Sequence, residues 1–252
     1  MRLALVNGQR CEASPGLKGE CDFCGSKMIA KCGDYRIWHW AHRGDHNCDR
    51  WWEPETEWHL NWKSKFPIEW QEVVHVAEDG ERHIADVKTA AGRVIEFQHS
   101  AISSHERQSR EKFYRSMIWV VNGLRRKRDR FNFEKSLSVT RRNPALYSVS
   151  RGECALLRDW AGCSVDVFFD FGSPILWHLH PIEPSGVVQL TEISKEDFTK
   201  ALRSAEIFDL AVKAPPSPPP LTSAPMGHNY HQQIVQSFRQ YLFARQISRR
   251  RF

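Results

Sequence analysis

The stretch IADVKTAAGRVIEFQHS, residues 84–100, constrains this chain more than any other. Two apolar, β-prone runs flank a small-residue turn, and each run carries a carboxylate, Asp86 before the turn and Glu96 after it. The pattern predicts a hairpin of RHIADVKT and RVIEFQHS, with Gly92 at the left-handed position of a three-residue loop. Asp86 and Glu96 then lie roughly opposite one another, Gln98 shares the face of Glu96, and Lys88 shares that of Asp86. Two like charges on an otherwise apolar sheet are costly unless something positive sits between them. A hard divalent cation, Mg²⁺ or Mn²⁺, meets that need while keeping several of its waters. The alternative is a salt-bridge network with Arg82, Arg93 or Arg110.

The flanks extend the pattern. SSHERQSREKFYRSM reads as a helix opened by a capping box from Ser103 to Glu106, and MIWVVNG as an apolar strand ending at Gly123. Upstream, EPETEWHLNWKSKF predicts a helix beginning near Pro54, with Glu55, His59 and Lys63 four residues apart on one face. His59 is placed to hydrogen-bond Glu55 or carry a proton, or else to pack beneath tryptophans. Trp51, Trp52, Trp58 and Trp62 read as core and edge packing, with any exposed ring able to stack on a base. The order is helix, strands, helix, strand.

Cys21 and Cys24 form a C-x2-C, followed by His39, His42 and Cys48. Such a knuckle offers two thiolates from one tight turn, and a second pair completes a tetrahedron around zinc. Cys21, Cys24, His42 and Cys48 are the favoured set, with His39 as substitute and Cys32 within reach. The chain has seven cysteines and no secretory signal, so they read as ligands or buried thiols in a reducing cytoplasm.

Charge divides the chain unevenly. The formal +6 resides beyond residue 212, on Lys213, Arg239, Arg245, Arg249, Arg250 and Arg251, with no acid among them. A neutral body with a basic tail suits a polyanion such as DNA, and Arg125, Arg126, Lys127 and Arg128 add a second basic run. No apolar run is long enough to span a membrane. Five regions follow: a zinc module at 1–50, a core at 51–124, and a β-rich region with a terminal helix, capped by Ser194, at 125–212. A Pro-rich linker at 213–225 and a basic amphipathic helix at 226–252 complete the chain, the helix suited to a protein partner or self-association.

This ordered set resembles the PD-(D/E)XK nuclease core, and more narrowly the CoiA-like family of competence-associated proteins. The resemblance rests on the C-x2-C with HWAH and Cys48, then Glu55, His59 and Lys63. RHIADV, IEFQHSAIS, Glu106, Arg110, Tyr114 and IWVV continue it, so that it covers residues 11 to about 124. It implies an α/β (α+β) restriction-endonuclease-like αβββαβ core and a DNA nuclease acting in DNA uptake, processing or recombination. In that reading Asp86 and Glu96 hold Mg²⁺ or Mn²⁺ and Glu55 supports the metal. Gln98, standing where a lysine is usual, orients the water. Lys63, or less readily Lys88, would supply the missing charge. The rival readings are a non-catalytic DNA-binding or loading factor, and a zinc-dependent adaptor that recruits a partner through its tail.

Overall fold

Short runs joined by turn residues, as at Asn7-Gly8 where both residues are left-handed (φ 51° and 78°), favour tight antiparallel pairing over helix at the N-terminus. The computed structural model describes residues 1–44, 48–142, 145–150, 152–180 and 187–204. The linker at 213–225, the helix at 226–252 and Arg249, Arg250 and Arg251 lie outside the described residues. Strands β1 (Leu3–Val6), β2 (Gln9–Glu12), β3 (Lys18–Glu20), β4 (Lys27–Lys31) and β5 (His39–His42) form an antiparallel sheet in the order β2-β1-β3-β4-β5. Met1, Ala4, Met28 and Trp40 fill one face of it. Gly19 lets β3 cross β1 closely, since a Cβ there would sit 2.8 Å from the Leu5 carbonyl.

The second sheet begins after helix α1 (Glu57–Lys63). The helix starts three residues beyond Pro54, because Thr56 caps it. The Thr56 hydroxyl accepts the His59 amide, and the His59 ring takes the Thr56 amide in return, which closes a capping box. Strands β6 (Gln71–Val76), β7 (Arg82–Lys88) and β8 (Val94–Gln98) run antiparallel as a meander, with Gly92 left-handed (φ 81°) in the β7–β8 loop as expected. Helix α2 (Ser104–Tyr114) crosses to β9 (Met117–Asn122), which lies parallel to β8 and is buried along its whole length. Ser103 caps α2 by accepting the Glu106 amide at 3.1 Å, but the Glu106 carboxylate turns instead to Arg110, 2.5 Å away. The reciprocal half of that capping box is therefore replaced by an ion pair one turn on.

The sheet continues past the boundary expected after residue 124. Helix α3 (Asp129–Ser136), strands β10 (Ser138–Arg142) and β11 (Ala145–Ser150), and helix α4 (Ala155–Trp160) lead to β12 (Asp166–Asp170), β13 (Ile175–Leu179), β14 (Val187–Ser194) and helix α5 (Lys195–Arg203). Among the described residues this gives a nine-stranded sheet, β10-β11-β14-β13-β12-β9-β8-β7-β6, in a mixed α+β architecture. β12 pairs parallel to β9 from Asp166↔Ile118 to Asp170↔Asn122, so the regions read as 51–124 and 125–212 share one hydrogen-bonded sheet. They also share one apolar cluster, in which Trp119 and Val121 meet Phe133, Trp160 and Phe169. Ser194 caps α5 as expected, accepting the Asp197 amide at 2.9 Å.

Asp170 ties the two regions together. Its carboxylate is 2% exposed and accepts the indole N–H groups of Trp58 at 3.0 Å and Trp62 at 2.9 Å from α1. Lys195 lies 2.7 Å from its other oxygen. Trp62 stacks on Phe97, with ring centroids 5.6 Å apart, so these tryptophans hold α1 in place rather than offering faces to a base. Removing the carboxylate leaves two indole donors and a partly exposed ammonium without their acceptor, so Asp170→Ala should cost about 2–3 kcal/mol of stability, read as a lower urea midpoint.

Candidate functional site

The first site sits where β3, β4 and β5 converge. Cys21 and Cys24 bracket a turn in which Gly25 adopts a left-handed φ of 70° and the Cys21 carbonyl accepts the Gly25 amide at 2.8 Å. β5 delivers His42, and Cys48 arrives from the segment after it. The ligand atoms of Cys21, Cys24, His42 and Cys48 all lie within 4.8 Å of one another, with Cys21 Sγ 3.7 Å from Cys48 Sγ and Cys24 Sγ 3.3 Å from His42 Nε2. Zinc bonds of about 2.3 Å to sulfur and about 2.0 Å to nitrogen place tetrahedral edges at about 3.5–3.8 Å, so the spacing fits. Burial, and then the charge of Cys21, push the Cys48 thiol far up, whereas hydrogen bonds from Ser26 outweigh the slight burial of Cys24 and hold its thiol below the usual value. His39 is not among the gathered ligands, and its Nδ1–H donates to the Ile37 carbonyl at 2.8 Å. Cys32 packs against the apolar core of the first sheet. Among the described residues this is the one His/Cys/Asp/Glu group so closely gathered.

The second site is a cavity of ≈ 60 Å³ between α1, the β6–β8 meander and α2, with room for a few waters. It is lined by six carboxylates, Asp49, Glu53, Glu55, Glu72, Asp86 and Glu96, against the cationic side chains Lys63 and Arg110. The β7–β8 ladder runs from Lys88↔Val94 to Val87↔Ile95. At the next step the two acids bond to the backbone instead. Glu96 Oε1 accepts the Asp86 amide at 3.2 Å, and Asp86 Oδ2 accepts the Phe97 amide at 2.9 Å. The strands thus separate where the acids meet, and each carboxylate satisfies an amide that the ladder has released.

Glu96 is fully enclosed. Burial, and then the Asp86 charge, push its pKa up to about 8, although Arg110 Nη1 donates to Glu96 Oε2 at 3.1 Å. Arg110 is also bound to Glu106 and to the Trp51 carbonyl, so it neutralises the pocket only in part. One Glu53 oxygen is buried without a partner. Gln98 lines the pocket, but its amide nitrogen donates to Glu53 and, at 3.2 Å, to the Ser100 carbonyl. Its carbonyl oxygen is the group left to act on a water.

Glu55 precedes the helix yet meets Lys63 across the Thr56 cap, and Lys63 also reaches Glu72 Oε1 at 2.9 Å. Burial alone would strip the Lys63 proton, but the charges of Glu72, Glu55 and Asp86 hold its pKa above the usual value. Lys88 is not in the pocket. Its charge is felt at His75. His59 packs beside Trp58, one of the arrangements expected of it. Its Nδ1 accepts the Thr56 amide, so Nε2 carries the proton and donates to the Phe97 carbonyl at 2.8 Å. With both nitrogens engaged and the Trp58 ring edge-on at 5.3 Å, His59 pins α1 to β8.

The basic run is also partly spent. Arg125 bonds Ser100 and Asp159, and Arg126 bonds Asp129 and Asp159, which leaves Lys127 and Arg128 exposed. Glu53, Glu72 and Asp49 escaped the sequence reading. Asp49 follows directly on Cys48 and accepts from His83 at 2.7 Å and from the Ile84 amide at 2.6 Å.

Residues 18–50 match the family model of the N-terminal domain of competence protein CoiA, a segment that holds all four residues of the Cys/His cluster. No curated protein and no solved structure matches the chain. No helix among the described residues is long and apolar enough to cross a membrane.

Two outcomes follow from these geometries. Purified protein should carry about one zinc per chain by elemental analysis, and Cys24→Ser should lose both the metal and thermal stability. In the metal-free carboxylate pocket, folded Glu96 keeps its proton up to about pH 8, whereas the unfolded chain releases it near the ordinary value of about 4.3. The folded state binds the extra proton between those limits, so stability should fall as pH rises through that window. Glu96→Gln should flatten the trend in urea midpoints.

Proposed function

We propose that this chain is a metal-dependent DNA nuclease acting in DNA processing, uptake or recombination, with a restriction-endonuclease-like core. The observation that carries this reading is the imbalance in the pocket: six carboxylates face Lys63, Arg110 and the α-ammonium of Met1, and one glutamate oxygen is buried without a partner. A small, hard cation suits such a set, because Mg²⁺ and Mn²⁺ take one or two carboxylates and keep several waters. The helix–three strands–helix–strand order from α1 to β9 and the CoiA match at residues 18–50 support the same reading.

In this reading Asp86 and Glu96 hold the cation and Glu55 supports it. Bound there, the cation supplies Lewis acidity for phosphodiester hydrolysis. Asp86 and Glu96 keep the strands apart at that point, and the Arg110 contact orients Glu96. The Gln98 carbonyl orients the attacking water. Lys127 and Arg128 offer phosphate contacts on the surface, and beyond the described residues Arg249, Arg250 and Arg251 add to them. One observation favours a rival, a non-catalytic DNA-binding or loading factor. Gln98 commits its amide nitrogen to Glu53 and Ser100, and glutamine brings no charge to a developing phosphorane.

Labelled single- and double-stranded DNA, incubated with the protein and Mg²⁺ or Mn²⁺, separates the two readings. The wild type should cleave, and Asp86→Ala should abolish cleavage with a modestly lower thermal midpoint, since the Phe97 amide loses its acceptor. A wild type that cleaves neither substrate and binds no Mn²⁺ through Asp86 overturns the nuclease reading.

A further inference from the structure

Glu72 is the pocket residue with the most unusual construction. It sits in β6 with a left-handed backbone (φ 48°), a conformation that is unfavourable for a non-glycine residue. The β6–β7 register, Gln71↔Val87 and Val73↔Ala85, places it opposite Asp86. Its carboxylate is saturated from two directions. Oε1 accepts the Arg2 amide at 2.8 Å and the Lys63 ammonium at 2.9 Å, and Oε2 accepts the Leu3 amide at 2.8 Å. Burial works against ionisation, but the Lys63 charge, then the α-ammonium of Met1 and the Arg2 amide, hold Glu72 down to about 2. A residue strained in its backbone and bound in this way joins two parts of the molecule, here β1 of the cysteine-bearing sheet and the lysine of the carboxylate pocket.

We propose that Glu72 is a positioning residue that draws the Lys63 ammonium away from Asp86, so that Asp86 stays free for a cation, and that the N-terminal module holds Glu72 in that posture through the Arg2 and Leu3 amides. The proposal rests on the reading of Asp86 and Glu96 as cation ligands. Lys63 has three acids within electrostatic reach, Glu72, Glu55 and Asp86. The first two hold it directly. Without Glu72, the ammonium keeps Glu55 and takes Asp86 as its second partner, and it then competes with the metal for that carboxylate. The module is thereby a wall of the pocket. A second tether runs the same way, since Asp49, next to the cluster residue Cys48, fixes β7 through the Ile84 amide two residues before Asp86.

A double-mutant cycle on the full-length, zinc-loaded protein tests this, with Mn²⁺ alone as the probe and binding read by electron paramagnetic resonance. Glu72→Gln should weaken Mn²⁺ binding, and Lys63→Met should strengthen binding in the Glu72→Gln background by about tenfold more than it does in the wild type. Equal gains in the two backgrounds would mean that Glu72 acts only as one more distant charge, and the proposal would fall. Should Glu72→Gln not fold, Arg2 offers a second route. Arg2→Pro deletes the donating N–H, whereas Arg2→Ala keeps it, so only the former should weaken Mn²⁺ binding beyond the loss of the side chain. Equal affinities for those two variants would also overturn the proposal. Mn²⁺ binding that is absent, or indifferent to Asp86→Ala, would sink the nuclease reading itself.

Discussion

An ammonium group taken out of water must find counter-charge, and Lys63 finds it on opposite sides, from Glu55 before the helix and from Glu72 on β6. Much of the pocket follows from that pair of contacts. The lysine fixes the C-terminal turn of α1 over the meander, while His59 fixes its beginning to the Phe97 carbonyl. With α1 held at both ends, the gap beneath it is bounded on one side by the separated ends of β7 and β8. Asp86 and Glu96 fill that gap because each bonds an amide that the other strand no longer accepts. The acids are therefore structural and chemical at once, since the bonds that hold the strands apart also fix the spacing of the charges.

Local patterns in the sequence carried the hairpin, its left-handed Gly92, the Ser103 and Ser194 caps and the Cys21–Cys24–His42–Cys48 set, because each depends on residues close together in the chain. Long-range partners were not legible. Nothing around Glu72 announces that its carboxylate will meet the amides of residues 2 and 3. His59 shows the limit from the other side. Its four-residue spacing from Glu55 suggested a contact, but Thr56 caps the helix and leaves Glu55 outside it, so the shared face is lost and the ring turns to the cap and to β8. The basic run at 125–128 likewise reads as a phosphate-binding stripe until Asp129 and Asp159 claim its first two arginines.

The two sites differ in how far they depend on their surroundings. The Cys/His cluster is carried by short strands and one turn, and its ligands span fewer than thirty residues. The carboxylate pocket gathers residues from before α1, from α1 itself, from three strands and from α2. A small change in any of these elements alters the balance between six acids and the three cations facing them, Lys63, Arg110 and the Met1 ammonium. The cysteine-bearing sheet, although it is distinct in its hydrogen bonding, touches that balance through Arg2 and Leu3.

The parallel pairing of β9 with β12 sets the size of the smallest piece that can fold. A chain cut after residue 124 would keep every acid of the pocket but would turn β9, six consecutive buried residues, into an open edge of unpaired amides and carbonyls. It would also leave the Trp58 and Trp62 indoles without Asp170. Such a fragment would be sticky along its edge and loose at α1. The segment that carries the chemical motif is thus smaller than the segment that can exist alone, and the β-rich half serves as its missing flank.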